Sequence, residues 1–404
     1  MKDPADPRVL SGDLWSDLLA TLDRARGIVL ADDAPSTPRD RAEGFRYLLR
    51  YLAAGHGICV EHADPDYPRF ARTVDITTPW GLDAPDCLYL MAPIRGDATY
   101  RIHGSRGTAN HIEVQANFGH FAEGDIAKWG TISSRNGLEL TTAADGSLEI
   151  VLGPEPTPSP CPANWLPLRP DARFLFIRQY FNDWERETPA DLVIERVGAV
   201  YPPPALRTDQ LAARVDLLRD WIEKAGGLWD RMSRVMVENM PPNSLTVMAP
   251  RAEDAGGALK GQAYGMGNFH CARGEAVVVE FAVPPCRQWS VGLGNWWWES
   301  VDFQNRQASL NGAQARLDGD GVFRGVVAHE DPGVPNWIDT AGYEKGTLAA
   351  RFLLAEAAPT VRMTLVPHDR LREHLPADTP HVPPDERADV LRRRRHALWR
   401  RYRR

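Results

Sequence analysis

The sequence predicts a mainly β protein with helical additions, made of two related jelly-roll-like β-sandwich halves produced by an internal duplication. Three observations predict it. An ordered set of landmarks occurs twice: His103-Gly104-Ser105-Arg106-Gly107, Asp145-Gly146, Asn164-Trp165 and Arg173-Phe174-Leu175, then His270-Cys271-Ala272-Arg273-Gly274, Asp320-Gly321, Asn336-Trp337 and Arg351-Phe352-Leu353. The copies are offset by 270 − 103 = 167, 320 − 145 = 175, 336 − 164 = 172 and 351 − 173 = 178 residues, a drift that loop insertions in a repeated unit produce. Short runs of alternating apolar and polar residues lie between the landmarks. Finally, 33 Gly and 33 Pro punctuate the chain at the frequency of an all-β protein rich in turns.

Residues 1–84 read as a helical brace and linker. Ser11 can cap a helix with Leu14, Leu18, Leu19 and Leu22 at the 3.6-residue period, and Thr37-Pro38 opens a second one. Phe45, Leu48, Leu49 and Leu52 form the apolar face of that second helix, and Gly55 is its expected stop. The first half covers residues 85–186, with strands expected around Leu88 to Met91, Tyr100 to Ile102, Ile112 to Phe118, Leu148 to Leu152 and Phe174 to Tyr180. Residues 187–250 form an inserted helical hairpin, capped by Thr208 and broken at Gly226-Gly227. The second half covers 251–370, with strands at Ala276 to Val283, Ser290 to Phe303 and Ala349 to Leu354. Residues 371–404 end in a basic helix after Pro383-Pro384.

Charge and composition narrow the function. Nine Arg against three carboxylates give residues 385–404 a charge of +6, which leaves −13 for the rest of a chain of net charge −7. An acidic body argues against nucleic-acid binding, and the basic helix is expected to dock on that body or on a partner subunit. Five cysteines without a Cys-x-x-Cys pair suggest neither a zinc ribbon nor a dithiol site. No leader and no apolar run of about 20 residues is visible, so no membrane insertion and a reduced, cytoplasmic setting are expected. Nucleophile-elbow, Walker and His-Glu-x-x-His templates have no match.

Ala144-Asp145-Gly146-Ser147-Leu148, Ala163-Asn164-Trp165-Leu166-Pro167 and Phe174 to Tyr180 resemble the core of a bacterial domain-of-unknown-function family, number twelve-fourteen. Asn295-Trp296 through Asn305-Arg306 and Asp331-Pro332-Gly333-Val334-Pro335-Asn336-Trp337 are similar to it as well, so the resemblance spans roughly residues 85–370. It implies a jelly-roll-like sandwich that assembles into homo-oligomers, and it carries over no catalytic residues. The helical N-terminus and the long helical insertion depart from the family's two-domain versions.

The chemistry must therefore be read from the residues. His111, Glu113, Gln115 and Asn117 alternate with Ile112, Val114, Ala116 and Phe118, which puts four polar side chains on one face of a strand, with His120 close behind. A His and a carboxylate two residues apart on a strand can pair as base and orienter, or hold a divalent metal. Counting from the His-x-x-Arg-Gly landmarks, His111 corresponds to Val278 and Glu113 to Glu280, so one copy is the more polar. The competing reading of the row is the wet face of an antiparallel strand.

Trp296, Trp298 and Glu299, placed on a strand, are expected to wall a pocket for a planar molecule, against the alternative of core packing. His329 and Asp331 occur in one copy only, as a grafted catalytic pair would. The leading expectation is an enzyme of lyase or hydrolase type acting on a small, largely apolar or aromatic molecule. Its proton transfer would fall to His111 with Glu113 or His329 with Asp331, with Trp296, Trp298, Glu299, Asn117 and His120 binding substrate and no cofactor required. The rival expectation is a non-catalytic ligand-binding or assembly protein.

Overall fold

Helix starts along the first sixty residues follow from their caps. A computed structural model describes residues 5–252 and 259–403; the first four residues and Arg404, both discussed above from sequence, lie outside the described residues. Helix α1 (Pro7–Ser11) is capped by Asp6, whose carboxylate accepts the Arg8 N–H at 2.8 Å. Ser11 ends this helix instead of capping the next. Gly12, at φ 87°, turns the chain into α2 (Asp13–Leu30). Thr37 caps α3 (Pro38–His56) as expected, its hydroxyl accepting the Asp40 N–H at 3.1 Å.

Two expectations for α3 are overturned. The helix does not stop at Gly55 but continues into a widened turn, Gly57–Glu61. Its buried face is Tyr47, Tyr51 and Ala54, whereas Phe45 and Leu49 are 43% and 68% exposed. Aromatic packing decides this orientation. The Tyr51 ring stacks 4.7 Å from Trp221, whose indole N–H donates to the Tyr51 carbonyl at 3.0 Å. Gly55 serves the same contact, since a Cβ there would lie 2.4 Å from the Trp221 ring. Trp221 follows α4 (Thr208–Asp220), in which Thr208 is the first helical residue and not the cap. Gly226-Gly227 does not break the run. Gly226 stays right-handed at φ −57°, and the helix passes through widened turns at Trp221–Ala225 and Val235–Asn239 on either side of α5 (Gly226–Arg234).

The chain divides into two units. Unit 1 takes residues up to Pro79, Leu88–Tyr180 and Thr188–Trp229, and unit 2 takes Trp80–Cys87, Phe181–Glu187 and everything from Asp230. The strands of unit 1 are β1 (Cys87–Pro93), β2 (Tyr100–Ser105), β3 (His111–Phe118), β4 (Gly130–Asn136), β5 (Ser147–Pro154), β6 (Trp165–Leu168), β7 (Ala172–Tyr180) and β8 (Asp191–Arg196). They form two sheets ordered β1-β7-β3-β4 and β6-β5-β2-β8. Ile112, Val114, Leu175 and Ile177 of the first sheet meet Ile102, Ile150, Leu152 and Ile194 of the second in one dry core. Strand β8 lies in the segment expected to be a helical hairpin. It supplies the second neighbour of β2 there.

Unit 2 repeats this topology strand for strand. Its strands are β9 (Leu245–Met248), β10 (Ala263–His270), β11 (Glu275–Ala282), β12 (Gln288–Gly294), β13 (Ser309–Asn311), β14 (Val322–Ala328), β15 (Trp337–Asp339), β16 (Lys345–Leu353) and β17 (Arg362–Pro367). The sheets are β13-β12-β16-β10-β9 and β15-β14-β11-β17. Leaving out β9, each strand from β10 to β17 takes the place of one from β1 to β8. The single parallel pairing with an assigned register recurs too, β5 with β6 and β14 with β15.

Two of the four landmarks sit at equivalent places. Asp145 and Asp320 each accept the N–H two residues on, at 2.9 and 3.0 Å, before a left-handed glycine pivot at Gly146 and Gly321. Asn164 clamps Thr141 through both its N–H and its carbonyl and also holds the Glu149 carbonyl; Asn336 does the same to Arg316 and the Arg324 carbonyl. The other two landmarks are not equivalent. His103 lies on β2 but His270 ends β10, the counterpart of β1, while Arg173 begins β7 and Arg351 lies late in β16. The correspondence inferred from them does not hold in the strand order: by place in its sheet β3 answers to β12, whereas Val278 and Glu280 lie on β11.

Helix α6 (Pro384–Tyr402) docks within unit 2 by an arginine stripe. Arg387, Arg394 and Arg401, seven residues apart, are 5%, 6% and 3% exposed. Arg387 holds Asp331 at 2.8 Å and the Gln307 side-chain carbonyl at 2.9 Å. Arg394 donates to Gln314 and Ser309 and lies 4.5 Å above Trp184, while Arg401 reaches the Pro85 carbonyl and covers Phe181 at 4.2 Å. Burial pushes the Arg394 guanidinium down to about 10, partly opposed by the nearby Asp86.

Two outcomes follow for stability. Asn336→Ala strips a donor and acceptors from the clamp and is expected to cost about 1–3 kcal/mol in urea unfolding; an unchanged midpoint would remove the clamp from the list of stabilising contacts. Arg394→Ala leaves Asp86 with less compensation and is expected to cost about 3–5 kcal/mol. The exposed Arg392→Ala should cost under about 0.5 kcal/mol. Equal losses for both arginines would contradict the docking described here.

Candidate functional site

The polar row on β3 is real, but it is not wet. His111, Glu113, Gln115 and Asn117 are 1%, 4%, 2% and 5% exposed, while Ile112, Val114 and Ala116 fill the sandwich core behind them. The alternation therefore marks a sheet buried on both sides rather than a solvent face. The His111 ring nitrogen Nε2 lies 3.3 Å from the Glu113 carboxylate, and the rings of His111 and Tyr180 are 6.3 Å apart. Arg178 donates to the Gln115 side-chain carbonyl and lies over the Phe176 ring at 4.6 Å. Asn117 donates to the Gln115 backbone carbonyl, locally bracing a bulge between Ala116 and Phe118. Gln288 and Ser290 on β12 are also buried polar groups, and Gln288 donates to the Phe181 carbonyl at 3.0 Å.

The remaining candidates in unit 2 are tied into structure. Trp296, Trp298 and Glu299 are not on a strand; they form a tight loop closed by Asn295 N–H on the Glu299 carbonyl at 2.9 Å. Trp298 adopts φ 59°, and its carbonyl accepts the Leu82 N–H at 2.7 Å. Trp296 is packed between the Arg234 and Lys345 cations, each 5.6 Å from its ring. Glu299 is fully buried and accepts from the Asn295 side chain at 2.8 Å. His329 spends both ring nitrogens, on the Cys271 carbonyl at 2.8 Å and the Thr340 hydroxyl at 3.0 Å. Asp331 is held by Arg387, so the two are not brought together as a catalytic pair. Among the described residues no cluster of three or more His, Cys, Asp or Glu is placed to hold a metal.

His120 lines a cavity. Its ring caps the short turn Phe121–Glu123, Nδ1 accepting the Ala122 N–H at 3.0 Å. That bond puts the ring proton on Nε2. Burial, then the nearby Arg173 charge, lowers His120 to about 4, so it is neutral near pH 7. The cavity, about 150 Å³, lies wholly within unit 1. Ile58 from the turn after α3, Met91 of β1, Phe174 of β7 and Leu217 of α4 give it apolar walls. His62 also lines it, lowered chiefly by burial and then by Arg69, and its Nδ1 is buried without a hydrogen bond. Strand β3 rises about 3.3 Å per residue, so His111 stands roughly 20 Å from the His120 end of the strand. The pair on β3 and the cavity are separate features.

Arg173, His62 and Phe174 were missed as site residues. They come from a strand start and a linker, and no local pattern signals that residues 58, 91, 120, 173 and 217 converge.

A family described as "Protein of unknown function (DUF1214)" matches residues 91–182. The crystal structure of an uncharacterised protein from Burkholderia cenocepacia is 33% identical over 90% of this chain and 99% of that one, with a TM-score of 0.84. A protein from Vibrio parahaemolyticus is 13% identical over 85% of this chain and 100% of that one, with a TM-score of 0.45. No curated protein sequence matches. The β-rich fold, the matched segment across β1 to β7 and the near full-length relative agree: the chain belongs to the DUF1214 family.

Proposed function

We propose that unit 1 is a binding module for a small, largely apolar or aromatic molecule, taken up in the cavity beside His120. The observation that carries this reading is a cavity of about 150 Å³ with apolar walls and an uncharged histidine at its side. A space of that size and lining accommodates a benzene-sized group. Binding without turnover is favoured over lyase or hydrolase chemistry by the state of the candidate bases. His111 is engaged with Glu113 under cover, and His329 has no free ring nitrogen. The repeated topology supports descent of both units from one duplicated sandwich. All five cysteines are free thiols, which supports a reducing, cytoplasmic setting; no helix among the described residues is long and apolar enough to cross a membrane. Trp15 and Leu49, 66% and 68% exposed on the helical brace, support self-association.

Filling the cavity tests the reading. Ala71→Leu and Leu217→Phe, made separately, should weaken binding of toluene and benzyl alcohol at least about tenfold, or about 1.4 kcal/mol, by calorimetry or NMR titration. Retained binding in both variants would place any ligand site elsewhere. The neutral histidine gives a second outcome. Because folding lowers the His120 pKa from 6.5 to about 4, the unfolded chain binds the extra proton between those values, and stability falls as pH falls through that window. His120→Gln should flatten the fall by about one proton in the slope of unfolding free energy against pH. Parallel pH profiles for the two proteins would mean that His120 is not held neutral.

A further inference from the structure

Building on that reading, we propose that the molecule bound in unit 1 carries one anionic group, a carboxylate, received by Arg173 at the mouth of the cavity and by the Nε2–H of His120. Three features point there. Arg173 is exposed at the start of β7, lines the cavity, and has no ion-pair or side-chain hydrogen-bond partner among the described residues. Arg95, Arg101 and Arg196, on or beside the strands of the same sandwich, each meet a carboxylate.

Charge balance is the second feature. No Asp or Glu lines the cavity, so Arg173 is its one formal charge, and His62 and His120 are both driven toward neutrality. A cation beside an apolar hollow without a counter-ion is complementary to an anion with an apolar body.

Hydrogen-bond direction is the third. The Ala122 N–H occupies His120 Nδ1, which leaves Nε2–H as a donor on the ring that lines the cavity. An arginine and an imidazole N–H both donate and neither accepts, which suits carboxylate oxygens and leaves an amide N–H without a partner. The apolar body would lie against Phe174 and Met91.

An isosteric pair of probes separates this inference from the reading it rests on. Benzoate and benzamide share shape and differ in charge. Calorimetric titration of the full chain should show benzoate binding at least about tenfold tighter than benzamide, a difference of about 1.4 kcal/mol. Arg173→Gln should bring the two within about twofold by weakening benzoate alone, and Arg173→Lys should keep part of the preference. Equal affinities in the wild-type protein would overturn the carboxylate while leaving the apolar cavity intact. A benzoate preference that survives in Arg173→Gln would overturn the role of Arg173. If neither probe binds, the cavity reading falls and this inference falls with it.

Discussion

A carboxylate kept away from water organises unit 2. Asp86 is 2% exposed and accepts from the Trp184 indole at 2.8 Å and the Asn311 amide at 2.6 Å. Burial raises its pKa against those bonds and against the charge of Arg401. A buried acid in this position is tolerable only with cations and donors arranged around it. That requirement accounts for Arg394 and Arg401 on the inward face of α6, while Arg387 answers Asp331. Their aliphatic stems and planar heads cover Trp184, Phe181 and Trp337, which are apolar on their faces yet favour a cation above the ring.

Unit 1 meets a related constraint with different chemistry. Its first sheet is buried on both faces, so the row pointing away from the core must satisfy itself. The His111–Glu113 contact, the Arg178–Gln115 bond and the Asn117 brace do so along β3. Just beyond the end of that strand, Phe121 packs 5.0 Å from Phe174 and the short turn that carries it presents His120 to the cavity. The polar sheet face thus belongs to β3, and the hollow is reached by the turn that follows it.

Much of the fold was legible in the sequence. The alternation at residues 111–118 located a strand, Thr37-Pro38 located a helix start, and Asn164 and Asn336 were recognisable as structural because both copies hold them. Other readings failed for physical reasons. Phe45 and Leu49 were assigned to a buried face because hydropathy ranks them above Tyr47 and Tyr51, but stacking on Trp221 chose the tyrosines. Docking of the basic helix was expected from charge, but not that Arg387, Arg394 and Arg401 would be its buried contacts, since burial of a cation depends on partners far away in sequence. The candidate site was least legible. Type and spacing picked out His120, yet its value depends on Met91, Arg173 and Leu217, and only the tertiary fold joins them.

The asparagine clamps also bear on how the chain finds its fold. Asn164 reaches back 23 residues to Thr141 and 15 to Glu149; Asn336 reaches back 20 to Arg316 and 12 to Arg324. The sheet pairing beside the first clamp joins Tyr100 to Arg196, a far longer excursion. Closing a short loop costs less chain entropy than closing a long one. Each clamp with its glycine pivot is thus a local seed from which the distant strands can be gathered. Because each sandwich carries its own seed, the order in which the two take shape is not imposed by the order of the strands along the chain.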